Sequence, residues 1–164
     1  LTDNLEVIIQ RTAVRALLLA EPDLLLLCRI CLQEGERYIW IAPGGGVESG
    51  EQPEAALARE IREETSHEIA RWAGPVWTRR HQFQFNGNAY DQRESFYLVR
   101  TDLFEPDHSA NPAEIEREIF EDFRWWSLDE IRDSEETYVP GDLARHLGEL
   151  LQGGMPAHPL EVGI

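Results

Sequence analysis

Several things are scarce in this chain. It has two cysteines, one methionine and no apolar run approaching the roughly 20 residues that a membrane-spanning helix needs. Near the N-terminus no basic stretch leads into an apolar one, so nothing reads as a secretory signal and cytoplasmic residence is the expectation. Cys28 and Cys31 form a single C-x-x-C at a strand end and the loop after it, with no second pair to complete a zinc site. A zinc or redox role is therefore set against two reduced structural thiols. Positive charge is scarce as well: 15 basic residues face 31 acidic ones, giving a net charge of -16. Binding to duplex nucleic acid or to an anionic membrane rests on Lys and Arg neutralising phosphate, so both partners are disfavoured. A small phosphorylated ligand remains open if metal ions bridge it to the carboxylates. Internal repeats and low-complexity segments are also absent.

What is present suits one globular domain. Hydrophobic residues make up 42% and charged residues 28% of 164 residues, enough for one core with little room for a second. The stretch from Glu6 to Leu19 and the run Leu24 to Cys28 flank Glu21-Pro22-Asp23 and predict a β-hairpin, or two adjoining strands, with a turn around Pro22. Residues 33–36 make a polar loop before a short strand from Tyr38 to Ile41. Pro53 suits the first turn of a helix that runs to about Thr65. Residues 76–85 and 89–100 alternate about Asn86-Gly87-Asn88, a hairpin turn. Trp77, Arg79, His81, Phe83 and Phe85 then share one face, as do Tyr90, Gln92, Glu94 and Phe96 on the partner strand. Residues 105–118 are polar and acidic, with two prolines, and read as a loop. A strand from Phe123 to Trp126 follows, sending Trp125 and Trp126 to opposite faces, and Ser127 caps a short helix starting at Leu128. An amphipathic helix from about Gly141 to Leu151 ends at Gly153-Gly154. Strands interleaved with helices predict an α/β protein with helices on both sides of a mixed β-sheet. The expected layout is one domain over residues 1–152 and a tail over 153–164.

The helix after Pro53 carries an oddity. Glu60, Glu63 and Glu64 stand at i, i+3 and i+4, within roughly a 100° arc of one face. Like charges so spaced repel, and Arg59 with Arg62 only partly offsets the cost. A divalent cation reverses the sign, because hard carboxylate oxygens suit Mg²⁺ or Mn²⁺. Five residues separate Gly45 from Glu51, seven separate Glu51 from Arg59, and Glu60, Ile61, Glu63 and Glu64 follow. Trp40-Ile41-Ala42-Pro43-Gly44-Gly45 leads in. This pattern resembles the signature box of the Nudix hydrolases, and the resemblance is specific over residues 40–64. Two positions depart from it: Ser66 and His67 stand where the family has glycine and then an aliphatic residue. Glycine reaches positive φ without penalty after a helix, so serine there costs about 1 kcal/mol or moves the helix end. His67 reads as a solvent-facing loop residue.

The resemblance implies a Nudix-type α/β/α sandwich over about residues 5–151 and a pyrophosphohydrolase activity. It implies that Glu60, Glu63, Glu64 and the carbonyl of Gly44 hold Mg²⁺ or Mn²⁺, with Arg59 bracing the cluster through Glu51. Glu60 or Glu63 would serve as the base for the attacking water, and Glu118, with Glu116 and Glu121 as rivals, would add a carboxylate. The implied substrate is a small-molecule nucleotide. A nucleoside diphosphate linked to another group comes first and nucleoside triphosphates next. Arg79, His81 and Phe83 are candidates for binding it, set against ordinary packing and ion pairing. A homodimer is left open. Two rival functions are a Nudix-fold isomerase, which needs a dedicated reactive cysteine that nothing here singles out, and a non-catalytic nucleotide sensor, which commonly loses the box carboxylates.

Overall fold

The computed structural model describes residues 7–32, 37–85, 87–107 and 120–163. The first hairpin forms as expected: β1 (Ile8–Ala20) turns at residues 21–23 into β2 (Leu24–Leu32), which is longer than its apolar run suggested. β3 (Arg37–Ile41) leads into β4 (Gly44–Gly46), a strand made of three glycines, and α1 (Pro53–Thr65) follows. β5 (Ala73–Phe85) and β6 (Asn88–Thr101) form the long second hairpin. β7 (Phe120–Trp126), α2 (Leu128–Asp133), β8 (Tyr138–Val139), α3 (Leu143–Gly153) and β9 (Leu160–Glu161) complete the order. The polar loop at 33–36 and the greater part of the acidic loop at 105–118 lie outside the described residues.

β1 touches β2 only beside the turn, at Leu19–Leu25 and Ala20–Leu24, and the two then part. One wing runs β9-β5-β6-β1-β4 and the other β7-β2-β3-β8. β1 and β6 are parallel along all of β1, from Ile8 beside Ala89 to Ala20 beside Thr101. The sheet is therefore mixed.

Period-2 alternation sorts β1 into two cores. Val14, Ala16 and Leu18 pack with Ala56, Leu57 and Ile61 of α1, and with Tyr97 and Val99 of β6. Leu17 and Leu19 face the opposite way, toward Ile131 of α2 and Leu143, Leu147 and Leu150 of α3. Helices thus cover both sides, the α/β/α sandwich expected. Trp125 joins the first cluster and Trp126 the second, as their adjacency in a strand requires. Ser127 closes a capping box with Glu130, which fixes the start of α2.

Two readings need correction. Cys28 and Cys31 both lie inside β2, three positions apart and so on opposite faces, which rules out one shared metal site. Cys28 is buried and its thiol donates to the Ile41 carbonyl at 3.3 Å. The stretch after α3 does not trail away: β9 pairs with Trp77 and Thr78 of β5, and Val162 enters the core. No helix among the described residues is long and apolar enough to cross a membrane.

Candidate active site

The site grows from the seam between β4 and α1. β4 lies antiparallel against residues 13–15 of β1, so close that a Cβ on Gly44 would meet the Val14 carbonyl oxygen at 2.0 Å. A Cβ on Gly45 would lie 2.5 Å from the Glu60 carboxylate. Only glycine allows the α1 carboxylate to rest on this backbone. Pro53 opens α1, and Ala56, Leu57 and Ile61, each fully buried, seat the helix on β1. That anchorage turns Glu60 inward, to 7% exposure, and leaves Glu63 and Glu64 half-buried at the rim.

Arg59 ties the cluster together. Its Nε and Nη2 donate to the two oxygens of Glu51 at 2.8 and 2.9 Å, and Nη2 also reaches the Gly46 carbonyl at 3.0 Å. Nη1 donates to Glu60 Oε1 at 2.9 Å and to Glu63 Oε2 at 3.2 Å. The expected Arg59–Glu51 pair is thus a two-pronged one across the loop. Hydrogen bonds from Arg59 and from the Glu48 backbone N–H hold the Glu51 carboxyl down to about 2. The surrounding carboxylates, Glu51 first, push Arg59 the other way, upward. Glu64 Oε2 accepts the Gly44 N–H at 3.0 Å.

These residues fit a divalent cation. Glu60 and Glu63 converge on a single positively charged nitrogen, Glu64 lies against the adjoining glycine strand, and all donors are hard oxygens. Among the described residues no three His, Cys, Asp or Glu side chains are drawn together as a finished cage. Arg59 Nη1 holds Glu60 and Glu63, while Glu64 turns to the Gly44 amide. Glu118 and its rival Glu116 lie outside the described residues, and the side chain of Glu121 is likewise not described.

The ends of the box bend in an unexpected way. Ser66 takes a left-handed conformation, φ 61°, and caps α1 without shifting its end. Its hydroxyl donates to the Asp107 carbonyl at 2.7 Å, while the Asp107 N–H donates to the Thr65 carbonyl at 3.0 Å. A glycine would supply the turn but not the first of these bonds. His67 is not solvent-facing: its ring stacks on Phe104 at 3.8 Å and 3°, and Nε2 lies 2.9 Å from Thr101 Oγ1. Burial lowers its pKa from the usual value.

Beyond the box, the candidate substrate residues share the face that holds α2 and α3, at the end that no helix among the described residues covers. His81 and Phe83 stack at 5.2 Å, and Phe83 stacks on Tyr90 at 5.1 Å. Arg79 is 4% exposed and pairs with Glu94 at 3.3 Å, so it is a buried support rather than a free cation. Glu94 also faces Arg15 at 3.4 Å and accepts the Gln92 amide at 2.7 Å. Burial works to raise the Glu94 pKa, but Arg15 and Arg79 outweigh it and the carboxyl stays below its usual value. Burial, and then Arg79, lower His81. Arg15, which donates to the Ala42 carbonyl at 2.9 Å, went unread in the sequence. The signal was there: it is the one charge between Ala13 and Ala20, on the inward face. An open hollow of about 700 Å³ lies beside Arg124, Trp126 and the acidic end of α2. Its carboxylate-rich lining does not suit phosphate.

Comparison with known proteins agrees with this architecture. Residues 9–147 match the NUDIX domain family. The nucleoside triphosphatase NudI of Escherichia coli O139:H28 is 33% identical over 120 residues, covering 71% of this chain and 81% of that protein. NudI of Salmonella paratyphi B is 32% identical over 123 residues, covering 74% and 85%. In fold, the chain resembles the MutT NUDIX hydrolase of Burkholderia pseudomallei, with a TM-score of 0.60 at 24% identity over 84% of this chain and 97% of that one. A glycine strand feeding an acidic helix, in the expected sandwich and over nearly the whole matched span, places this chain in the Nudix family, as a hydrolase of phosphoanhydrides.

Proposed function

We propose that this hydrolase is a nucleotide pyrophosphohydrolase that works with Mg²⁺ or Mn²⁺. The supporting observation is the convergence of Glu60 and Glu63 on one cationic point, with Glu64 on the adjoining glycine strand. Nucleoside triphosphates rank ahead of diphosphates linked to another group, because two relatives are named nucleoside triphosphatases. That reverses the order suggested by sequence.

Glu60, Glu63, Glu64 and the Gly44 carbonyl are the groups that would hold the cation, which supplies charge neutralisation on the phosphates and acidifies a water. The protein's own residues do the rest. Arg59, locked to Glu51, keeps Glu60 and Glu63 from drifting apart under mutual repulsion. Glu63, at 25% side-chain exposure, reaches solvent and accepts the proton of the attacking water, with Glu60 as its alternate. The water oxygen bonds to phosphorus, the bridging P–O bond breaks, and the products are a nucleoside monophosphate and the remaining phosphate group. His81 and Phe83 offer flat surfaces for the base, while Arg79 keeps that part of the sheet in place through Glu94.

Released monophosphate from a panel of nucleotides with Mg²⁺ or Mn²⁺ tests the reading. Glu63→Gln should lose about a hundredfold in kcat, since one carboxylate serves both cation and water. An equal rate in wild type and variant would falsify it.

A further inference from the structure

The chain contains no lysine, so all of its 15 basic side chains are arginines. Those around the site are engaged: Arg15 and Arg79 with Glu94, Arg59 with Glu51, Glu60 and Glu63, and Arg80 with Asp91. Arg11 stands apart. It is exposed, and no described side chain forms an ion pair with it. Its guanidinium rests on Gly46, where an added Cβ would come within 2.8 Å of Nη2 and 3.0 Å of Nε. The carbonyl of the same glycine accepts from Arg59. Arg11 and Arg59 thus meet the same glycine, Arg11 from the sheet face opposite α1.

Sheet register places Arg11 on the other side as well. Arg11 lies beside Gln92 and Gln92 beside His81, while the next row outward is Ile9, Tyr90 and Phe83. Gln92 is held by Glu94, and the rings of His81, Phe83 and Tyr90 lie nearly parallel, at 19° and 16°. Among the described residues, one guanidinium without an ion pair thus stands beside an aromatic row and against the glycine strand that leads into α1. A planar guanidinium binds two phosphate oxygens at once, and a bare glycine lets it lie flat against the strand.

We propose that Arg11 is a phosphate-binding residue for a nucleoside polyphosphate whose base lies toward His81, Phe83 and Tyr90. The inference rests on the nucleotide reading above and assigns a specific contact within it. Gly46 matters because any side chain there would push the guanidinium aside. Gly46 does not occupy the left-handed region, so alanine is conformationally allowed and acts on Arg11 rather than on the carboxylates.

The test is steady-state kinetics with nucleoside triphosphates and Mg²⁺, with inorganic tripolyphosphate as a competing inhibitor. Arg11→Gln and Gly46→Ala should each raise KM and the tripolyphosphate Ki about tenfold while kcat stays within about threefold; Arg11→Lys should recover part of the loss. Unchanged KM and Ki in both variants overturn the assignment while leaving wild-type hydrolysis, and the broader reading, intact. A raised KM with an unchanged Ki overturns the phosphate contact. If the wild type hydrolyses no nucleotide, the underlying reading fails first.

Discussion

Two halves of one sheet face differ sharply although the same three strands build them. Where β1, β6 and β5 lie under α3, the inward positions are Leu17, Phe96 and Trp77, and His146 of α3 packs its ring against Trp77 at 5.8 Å. A few residues along, the inward positions become Arg11, Gln92 and His81, then Ala13, Glu94 and Arg79, with no helix above them among the described residues. The alternation never changes; only the residue types do. A sheet can therefore keep one continuous hydrogen-bonded frame while turning from dry core to polar floor. α1 belongs to the opposite face, but the glycine strand that leads into it borders the polar half.

The largest expected effect that separates the halves is on stability. Trp77→Ala should cost about 3–5 kcal/mol in chemical denaturation, through lost burial and the cavity left behind. Glu94→Gln should cost about 3 kcal/mol, for a different reason: Arg15 and Arg79 are left in the interior without a carboxylate. If Glu94→Gln proves neutral, the polar half is solvated rather than a built charge network, and the comparison breaks.

A smaller effect concerns the contact between the end of α1 and the segment after β6. His67 has a folded-state pKa below its usual value because burial disfavours the charged ring. The native state then binds fewer protons than the unfolded state just below pH 6.5. Stability is fully present above about pH 6.5 and falls as pH drops toward the folded-state pKa. Urea midpoints at pH 5.5 and 7.5 should differ more for wild type than for His67→Gln. Equal differences would remove His67 from the stacking role that Phe104 gives it.

Much of this arrangement was legible beforehand. α1, both hairpins and the cap at Ser127 follow from local periodicity, proline placement and turn residues, and they appear where those signals put them. The Arg59–Glu51 pair was implied by resemblance, and both residues lie within one loop and helix. β4 was not readable, because three glycines have no side-chain period to show. Arg11 and Arg15 escaped notice because their neighbours, Gln92 and Glu94, lie about 80 positions away, in a parallel strand whose register depends on the whole fold. His67 was misjudged for the same reason: Phe104 and Thr101 reach it only after β6 returns.

The central claim is that the α1 carboxylates, held by Arg59 over a glycine strand, take a divalent cation. Titrating the protein with Mn²⁺ while following free Mn²⁺ by electron paramagnetic resonance tests it without requiring turnover. Wild type should take up Mn²⁺ at a site that Glu60→Gln/Glu63→Gln lacks, with both proteins equally folded by circular dichroism. Identical uptake by the two folded proteins would contradict the account.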